Sequence, residues 1–176
     1  SQGMKTLRAQ LKRAAPLEVT VLLRGETGTG KELAARFLHE EAPRAARPFV
    51  AVNCAAIPEN LIASELFGHT RGAFTGADRD RRGAFEEAGE GTLFLDEIGD
   101  ISPQTQVTLL RVLENREVSR VGSSKVVPVR CRVVAATHAD LEARIRESSF
   151  RQDLYYRLNR LEIPLPPLRE REEDIL

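Results

Sequence analysis

Residues 19–32 read VTVLLRGETGTGKE, and no other stretch restricts the possible folds as strongly. A short apolar run breaks into a loop of three glycines, and Leu33, Ala34, Phe37 and Leu38 resume at helical spacing behind it. Strand, glycine loop and helix in that order open a βαβ unit. Gly25, Gly30 and Lys31 fit the spacing G-x-x-x-x-G-K, with Gly28 inside it. Bare backbone N–H groups can curl around phosphate oxygens there, the following helix N-terminus adds partial positive charge, and the lysine adds a full one. Gly25, Glu26, Thr27, Gly28, Thr29, Gly30, Lys31 and Glu32 are therefore the expected nucleotide-binding residues. Glu32 stands where a Ser or Thr would normally ligate Mg²⁺, so the metal must lean on a carboxylate elsewhere or on water.

Further apolar runs at 49–52, 92–95, 131–136 and 161–163 alternate with helix-length segments. This predicts an α/β fold with a mostly parallel five-stranded sheet flanked by helices. Met4, Leu7 and Leu11 predict a helix that stops before Pro16. EVSRVGSSKVVPVR predicts an inserted β-hairpin turning at 122–124, and a second insertion surrounds GAFTGA. Residues 1–166 form one α/β core, and 167–176 begin a connection in which Asp174, Ile175 and Leu176 look like the first turn of another helix. With 176 residues, two domains are not expected.

The carboxylate that Glu32 cannot replace is found in GTLFLDEIGD. A buried strand there would deliver Asp96 and Glu97 at its carboxyl end, where ligands of open α/β sheets bind. Asp96 is placed to hold Mg²⁺, and Glu97 to orient and deprotonate an attacking water, which points to binding and hydrolysis of ATP. Equal numbers of basic and acidic residues, 26 of each, argue against a general polyanion-binding surface and against direct DNA binding. Cys54 and Cys131 have no CxxC partner and no metal-ligand spacing to a histidine, so they read as small reduced core residues. The lack of a bilayer-length apolar run or a signal h-region predicts a cytoplasmic, non-membrane protein. In GHTRGAFTGAD, residues 68–78, Phe74 stands among glycines and alanines. Such a segment reads as a loose stalk holding an apolar ring out for a contact.

GETGTGKE, SELFGHTRGAFTGA, GTLFLDEIGDIS and FRQDLYYRLN, in that order, resemble the AAA+ ATPase domain of bacterial sigma-54-dependent transcription activators of the nitrogen-regulator type. The resemblance runs from about Met4 to the last residue, and GAFTGA is its most diagnostic part. It implies an ATP-hydrolysing ring, usually hexameric, that remodels the closed complex of sigma-54 RNA polymerase. Gly72, Ala73, Phe74, Thr75, Gly76 and Ala77 would form the loop that touches the sigma factor and moves with nucleotide state. Asn53 would pair with Glu97, and Thr137 would be the sensor threonine beside the terminal phosphate, next to His138 where relatives often carry Asn.

Arg151 and Arg157 would approach ATP held by the neighbouring subunit. On one continuous helix their directions differ by about 120°, and Asp153 is spaced for a salt bridge to Arg157. Relatives add a helical lid with a further arginine, a DNA-binding helix-turn-helix and a regulatory domain. Their absence from these 176 residues implies weaker nucleotide affinity and poorer ring formation. Two rival readings are a nucleotide-switched binding module and another kind of AAA+ remodelling ATPase.

Overall fold

The computed structural model describes residues 2–170, so the expected helical turn at Asp174–Leu176 lies outside the described residues. In chain order the elements are α1 (Gln2–Ala14), β1 (Val21–Arg24), α2 (Lys31–Glu40), β2 (Phe49–Asn53), α3 (Glu59–Phe67), β3 (Gly68–His69), β4 (Arg81–Arg82), α4 (Ala84–Ala88) and β5 (Thr92–Asp96). They continue with α5 (Pro103–Asn115), β6 (Glu117–Ser119), β7 (Val126–Pro128), β8 (Arg132–Thr137), α6 (Leu141–Arg146), α7 (Gln152–Leu158) and β9 (Leu161–Pro164). Short 3₁₀ turns follow β5 and β9.

Five strands pair in the order β2-β5-β8-β1-β9, every pairing parallel. Successive side chains of a strand point to opposite faces, and the core divides accordingly. Leu22, Val52, Leu93, Leu95, Val133 and Ala135 pack with residues of α3, α4, α5 and α7. Val21, Leu23, Phe94, Val134, Ala136 and Ile163 pack with α1 and α2 on the other face. Burial on both faces explains why these strands read as continuous apolar runs in the sequence. Cys54 and Cys131 are both buried and free, as expected, and burial raises both thiols, Cys54 to about 12 and Cys131 to about 11.

Both insertions leave the sheet on the same side of the chain path. β3 and β4 pair antiparallel at the base of the GAFTGA loop, and β6 and β7 form the hairpin. The two are joined through Val121, whose N–H donates to the Gly68 carbonyl at 2.9 Å and whose carbonyl accepts from Thr70 N–H at 3.0 Å. Gly122 permits this contact, because a Cβ there would lie 2.7 Å from both Ala73 Cβ and Thr70 Oγ1.

One charge sits inside an apolar run. Arg132, 3% exposed in β8, donates to the carbonyls of Ala15 and Ala14, each at 2.8 Å. It pairs the Ala15 carbonyl just past α1 and adds a second donor to the Ala14 carbonyl, which also accepts from Leu17 N–H at 3.0 Å, and burial pulls its pKa down. Replacing Arg132 with Met removes both bonds and leaves the Ala15 carbonyl without this donor, at a cost of about 2 kcal/mol. The expected fall in thermal midpoint is roughly 4–8 °C for a domain of this size. An unchanged melting curve would show that α1 docks without this arginine.

Candidate nucleotide site

Register puts the functional loops side by side. Asn53 pairs with Asp96, Leu95 with Ala135 and Arg24 with Thr137. The ends of β2, β5, β8 and β1 therefore open on one edge, the carboxyl edge at which α/β sheets bind ligands.

Behind β1 the backbone turns through Gly28 (φ 81°) and Gly30 (φ 86°), a left-handed conformation that side chains resist. Gly30 caps α2 without any side-chain hydrogen bond, so the helix's first N–H groups are left for a ligand. Lys31, 6% exposed, donates from Nζ to the carbonyls of Gly25 at 2.9 Å and Glu26 at 3.1 Å. These bonds hold the loop in its curl and keep the ammonium at its centre. Glu26 turns outward to Arg169, which donates to its carboxylate at 2.7 Å and holds it below the usual carboxylate range. Glu32 also faces away, paired with Arg36 one helical turn on. Neither acid points into the loop.

Beside Thr29 and Gly30 lies an apolar cleft of about 240 Å³, lined by Leu7, Leu11, Leu33, Ala34, Phe37 and Leu165. Leu33 was grouped with the helical stripe, yet it is 73% exposed and contributes to this cleft instead of the core.

Asp96 ends β5 and accepts from Glu97 N–H at 2.9 Å. Burial first, then the neighbouring Glu97 charge, pushes its carboxyl above the usual range, so the site favours a compensating cation. Glu97 adopts φ 54°, a conformation costing about 1 kcal/mol for a residue with a side chain. That turn swings its carboxylate back toward the loop, with Oε1 3.6 Å from Lys31 Nζ. Its Oε2 lies 2.5 Å from His138 Nδ1 and accepts from His138 N–H at 3.3 Å.

The partner of Glu97 is thus His138. Asn53 Oδ1 accepts from Ala55 N–H at 3.0 Å, the strand-end turn that its residue type also allows. Thr137 is 1% exposed, and its hydroxyl accepts from Ala139 N–H at 3.0 Å while its carbonyl accepts from Gly25 N–H at 3.2 Å. It braces the loop, and His138, the residue directly after β8, is the one that meets Glu97. The available signal was a histidine where relatives often carry Asn.

Arg151 is the N-cap of α7 and lies outside it, so an angular separation on one helix does not apply. Asp153 pairs with Arg151, at 2.8 Å, instead of with Arg157. Arg157 makes no ion pair among the described residues. These arginines are on a different part of the surface from the loop formed by Gly25 to Lys31.

The GAFTGA loop is less slack than its composition implies. Gly72 N–H donates to Ala77 at 2.8 Å, and Ala77 N–H to Phe74 at 3.1 Å, so the six residues close on themselves. Ala77 is buried and Thr75 exposed. Phe74 is 37% exposed, its ring edge-on to His69 with centroids 5.0 Å apart. His69 is itself buried against Ser64 Oγ at 2.5 Å. The aromatic ring is docked at the loop base, with one side open to solvent.

A family model described as the sigma-54 interaction domain matches residues 1–164. The chain is 56% identical over 175 residues to the transcriptional regulatory protein ZraR of Escherichia coli strain K12, covering 99% of this chain and 40% of that protein. It is 57% identical over 175 residues to the Nif-specific regulatory protein of Azospirillum lipoferum, covering 99% of this chain and 28% of the relative. It therefore spans well under half the length of the curated relatives it matches. A crystal structure of NtrX from Brucella abortus in complex with ATP superposes with a TM-score of 0.92 at 40% identity, covering 99% of this chain and 38% of that one. The P-loop NTPase domain of a sigma-54 activator from E. coli, at 20% identity and TM-score 0.62, shares the fold. With the family model spanning nearly all of the sheet and both insertions, the chain belongs to the sigma-54 interaction domain family and has its P-loop AAA+ nucleotide-binding fold.

Proposed function

We propose that this chain is the ATP-hydrolysing core of a cytoplasmic sigma-54-dependent activator, which remodels the closed complex of sigma-54 RNA polymerase through residues 72–77. The observation that carries it is the meeting of Lys31 and Glu97, 3.6 Å apart, at the strand ends behind a glycine loop. The N-terminal donors of α2 and Lys31 bind the phosphates, and the apolar cleft beside Thr29 accepts the base.

Among the described residues no cluster of three or more His, Cys, Asp or Glu could hold a metal alone. The Asp96 carboxylate, pushed above its usual range by burial at the strand end, fits Mg²⁺, which is usually held by one or two carboxylates, substrate phosphates and water. Asp96 would hold it, and the ion would neutralise charge on the phosphate oxygens. Glu97 orients and deprotonates the attacking water once its carboxylate leaves His138. Thr137 keeps the loop seated through Gly25, and Asn53 becomes available to Glu97 if its turn to Ala55 opens.

Arg157, with Arg151 beside it, completes the site of a neighbouring copy, which makes turnover depend on ring assembly. Phe74 and Thr75 engage sigma-54 when the loop leaves its dock on His69. Residues 1–166 act as this core and 167–176 lead away from it, while DNA is contacted by a separate helix-turn-helix.

Capture of sigma-54 tests the reading. With ATP or a transition-state mimic, the full-length protein is expected to retain sigma-54 in a pulldown, and without nucleotide to release it. Thr75→Ala should reduce capture at least tenfold, about 1.4 kcal/mol of binding free energy, and leave ATP turnover intact. Equal capture with and without nucleotide would refute nucleotide-gated engagement.

A further inference from the structure

Arg24 is the last residue of β1, directly before the phosphate loop, and it faces away from that loop. Its two terminal nitrogens grip the Glu142 carboxylate of α6 in a fork, each at 2.6 Å, and Nη1 also reaches Glu162 of β9 at 3.1 Å. Tyr155 of α7 donates its hydroxyl to the same Glu142 at 2.8 Å, and Asn159 donates to the Tyr155 oxygen at 3.0 Å and to Glu162 at 3.4 Å. Five polar side chains thus form one closed network spanning β1, α6, the middle and C-cap of α7, and β9. Arg24 holds Glu142 far below the ordinary carboxylate range, and Glu142 raises Arg24 in turn. A two-toothed guanidinium–carboxylate bond fixes direction as well as distance, which a lysine cannot do.

The placement has a mechanical consequence. Gly25 begins the phosphate loop, so Arg24 moves with it, and Tyr155 stands on the seven-residue helix whose ends carry Arg151 and Arg157. From Arg24 to α7 the shorter bonds run through Glu142 and the Tyr155 phenol, and a second route runs through Glu162 to Asn159 at the C-cap of α7. The apolar contacts of Leu154 and Leu158 hold α7 against the core, and the Tyr155–Glu142 bond ties it to α6.

We infer that Arg24, Glu142 and Tyr155 are positioning residues that set the angle at which α7 presents Arg157 to the neighbouring copy, so that the state of one phosphate loop governs hydrolysis in the adjacent site. This rests on the reading of Arg157 as a group supplied across the interface. Nucleotide that shifts the loop moves Arg24, Glu142 follows through its two bonds, and α7 turns with Tyr155. Because a displacement near 1 Å of a catalytic group can cost up to about a hundredfold in rate, small rotations suffice.

The test mixes two full-length chains. One carries Glu97→Gln, so it binds nucleotide but barely hydrolyses it and serves as arginine donor, and the other carries Arg157→Ala and serves as the hydrolysing nucleotide holder. Turnover then arises only where a holder faces a donor's α7. Adding Tyr155→Phe or Arg24→Met to the donor alone should lower kcat of the mixture roughly tenfold and leave the holder's KM for ATP and the assembled fraction unchanged. Arg24→Lys should lower it less. The two substitutions together should do little more than either, since both cut the same path.

Unaltered kcat, purely multiplicative effects, or a loss that tracks a falling thermal midpoint and less assembly would each overturn the proposal. No turnover in the mixture before any network substitution would refute the interface role of Arg157 itself, and the coupling with it.

Discussion

Replacing Arg157 with alanine is expected to lower ATP turnover about 10³-fold or more in the assembled protein, the range seen when an arginine is withdrawn from a transferring phosphoryl group. Nothing among the described residues holds its guanidinium within the subunit, although α7 is well anchored by Leu154 and Leu158. An arginine on a docked helix, with no ion pair among the described residues, is suited to a ligand supplied from outside. Arg151 differs, because Asp153 already takes it in two hydrogen bonds of 3.0 and 2.8 Å. Arg151→Ala should therefore cost less turnover than Arg157→Ala. Steady-state kinetics at protein concentrations above the assembly midpoint decide the matter. Equal rates for the Arg157 variant and the parent would exclude it from the site.

Exchanging Glu97 for glutamine should leave ATP binding nearly unchanged and slow hydrolysis by about 10²–10⁴-fold, the usual worth of a positioned base. The amide keeps the size and the left-handed turn of Glu97 but cannot take a proton. Binding persists because the phosphate loop is held by Lys31 through the carbonyls of Gly25 and Glu26, independently of Glu97. Single-turnover measurement separates the two effects, since only the chemical step should slow. A variant that turns over at the parent rate would make Glu97 a structural acid, and the chain a nucleotide switch instead of a hydrolase.

His138 bears on the same experiment. Its ring nitrogen lies 2.5 Å from the Glu97 carboxylate, and Asn53 is engaged with Ala55. The acid is therefore held on the β8 side of the site, away from the strand-end asparagine that the family resemblance nominates. Asn53 ends β2 and His138 follows β8, the two strands flanking β5, so a change of partner calls for side-chain rotation at Glu97 and release of the Asn53 turn.

Much of this molecule was legible before any coordinates. The central strands β1, β5 and β8 are buried on both faces and so read as apolar runs, and the glycine loop demands backbone conformations that few residues supply. The hairpin turned where Gly122 was read to turn it. These are local requirements, satisfied or violated within a few residues of chain.

The choice of partner by long polar side chains was not legible. Arg132 lies within the apolar run 131–136, and only the fold shows it bonded to the carbonyls of Ala14 and Ala15. Asp153 took Arg151 because α7 begins one residue after that arginine, leaving Arg157 with no ion pair among the described residues. Sequence by itself determined the α/β class, the strands, the phosphate loop and its acids, because hydrophobic period and glycine geometry act over short distances. Only tertiary structure decided which acid meets which base, since strand order brings together Arg24 and Glu142, 118 positions apart, and Glu97 and His138, 41 apart. Spacing along the chain carries no record of those meetings.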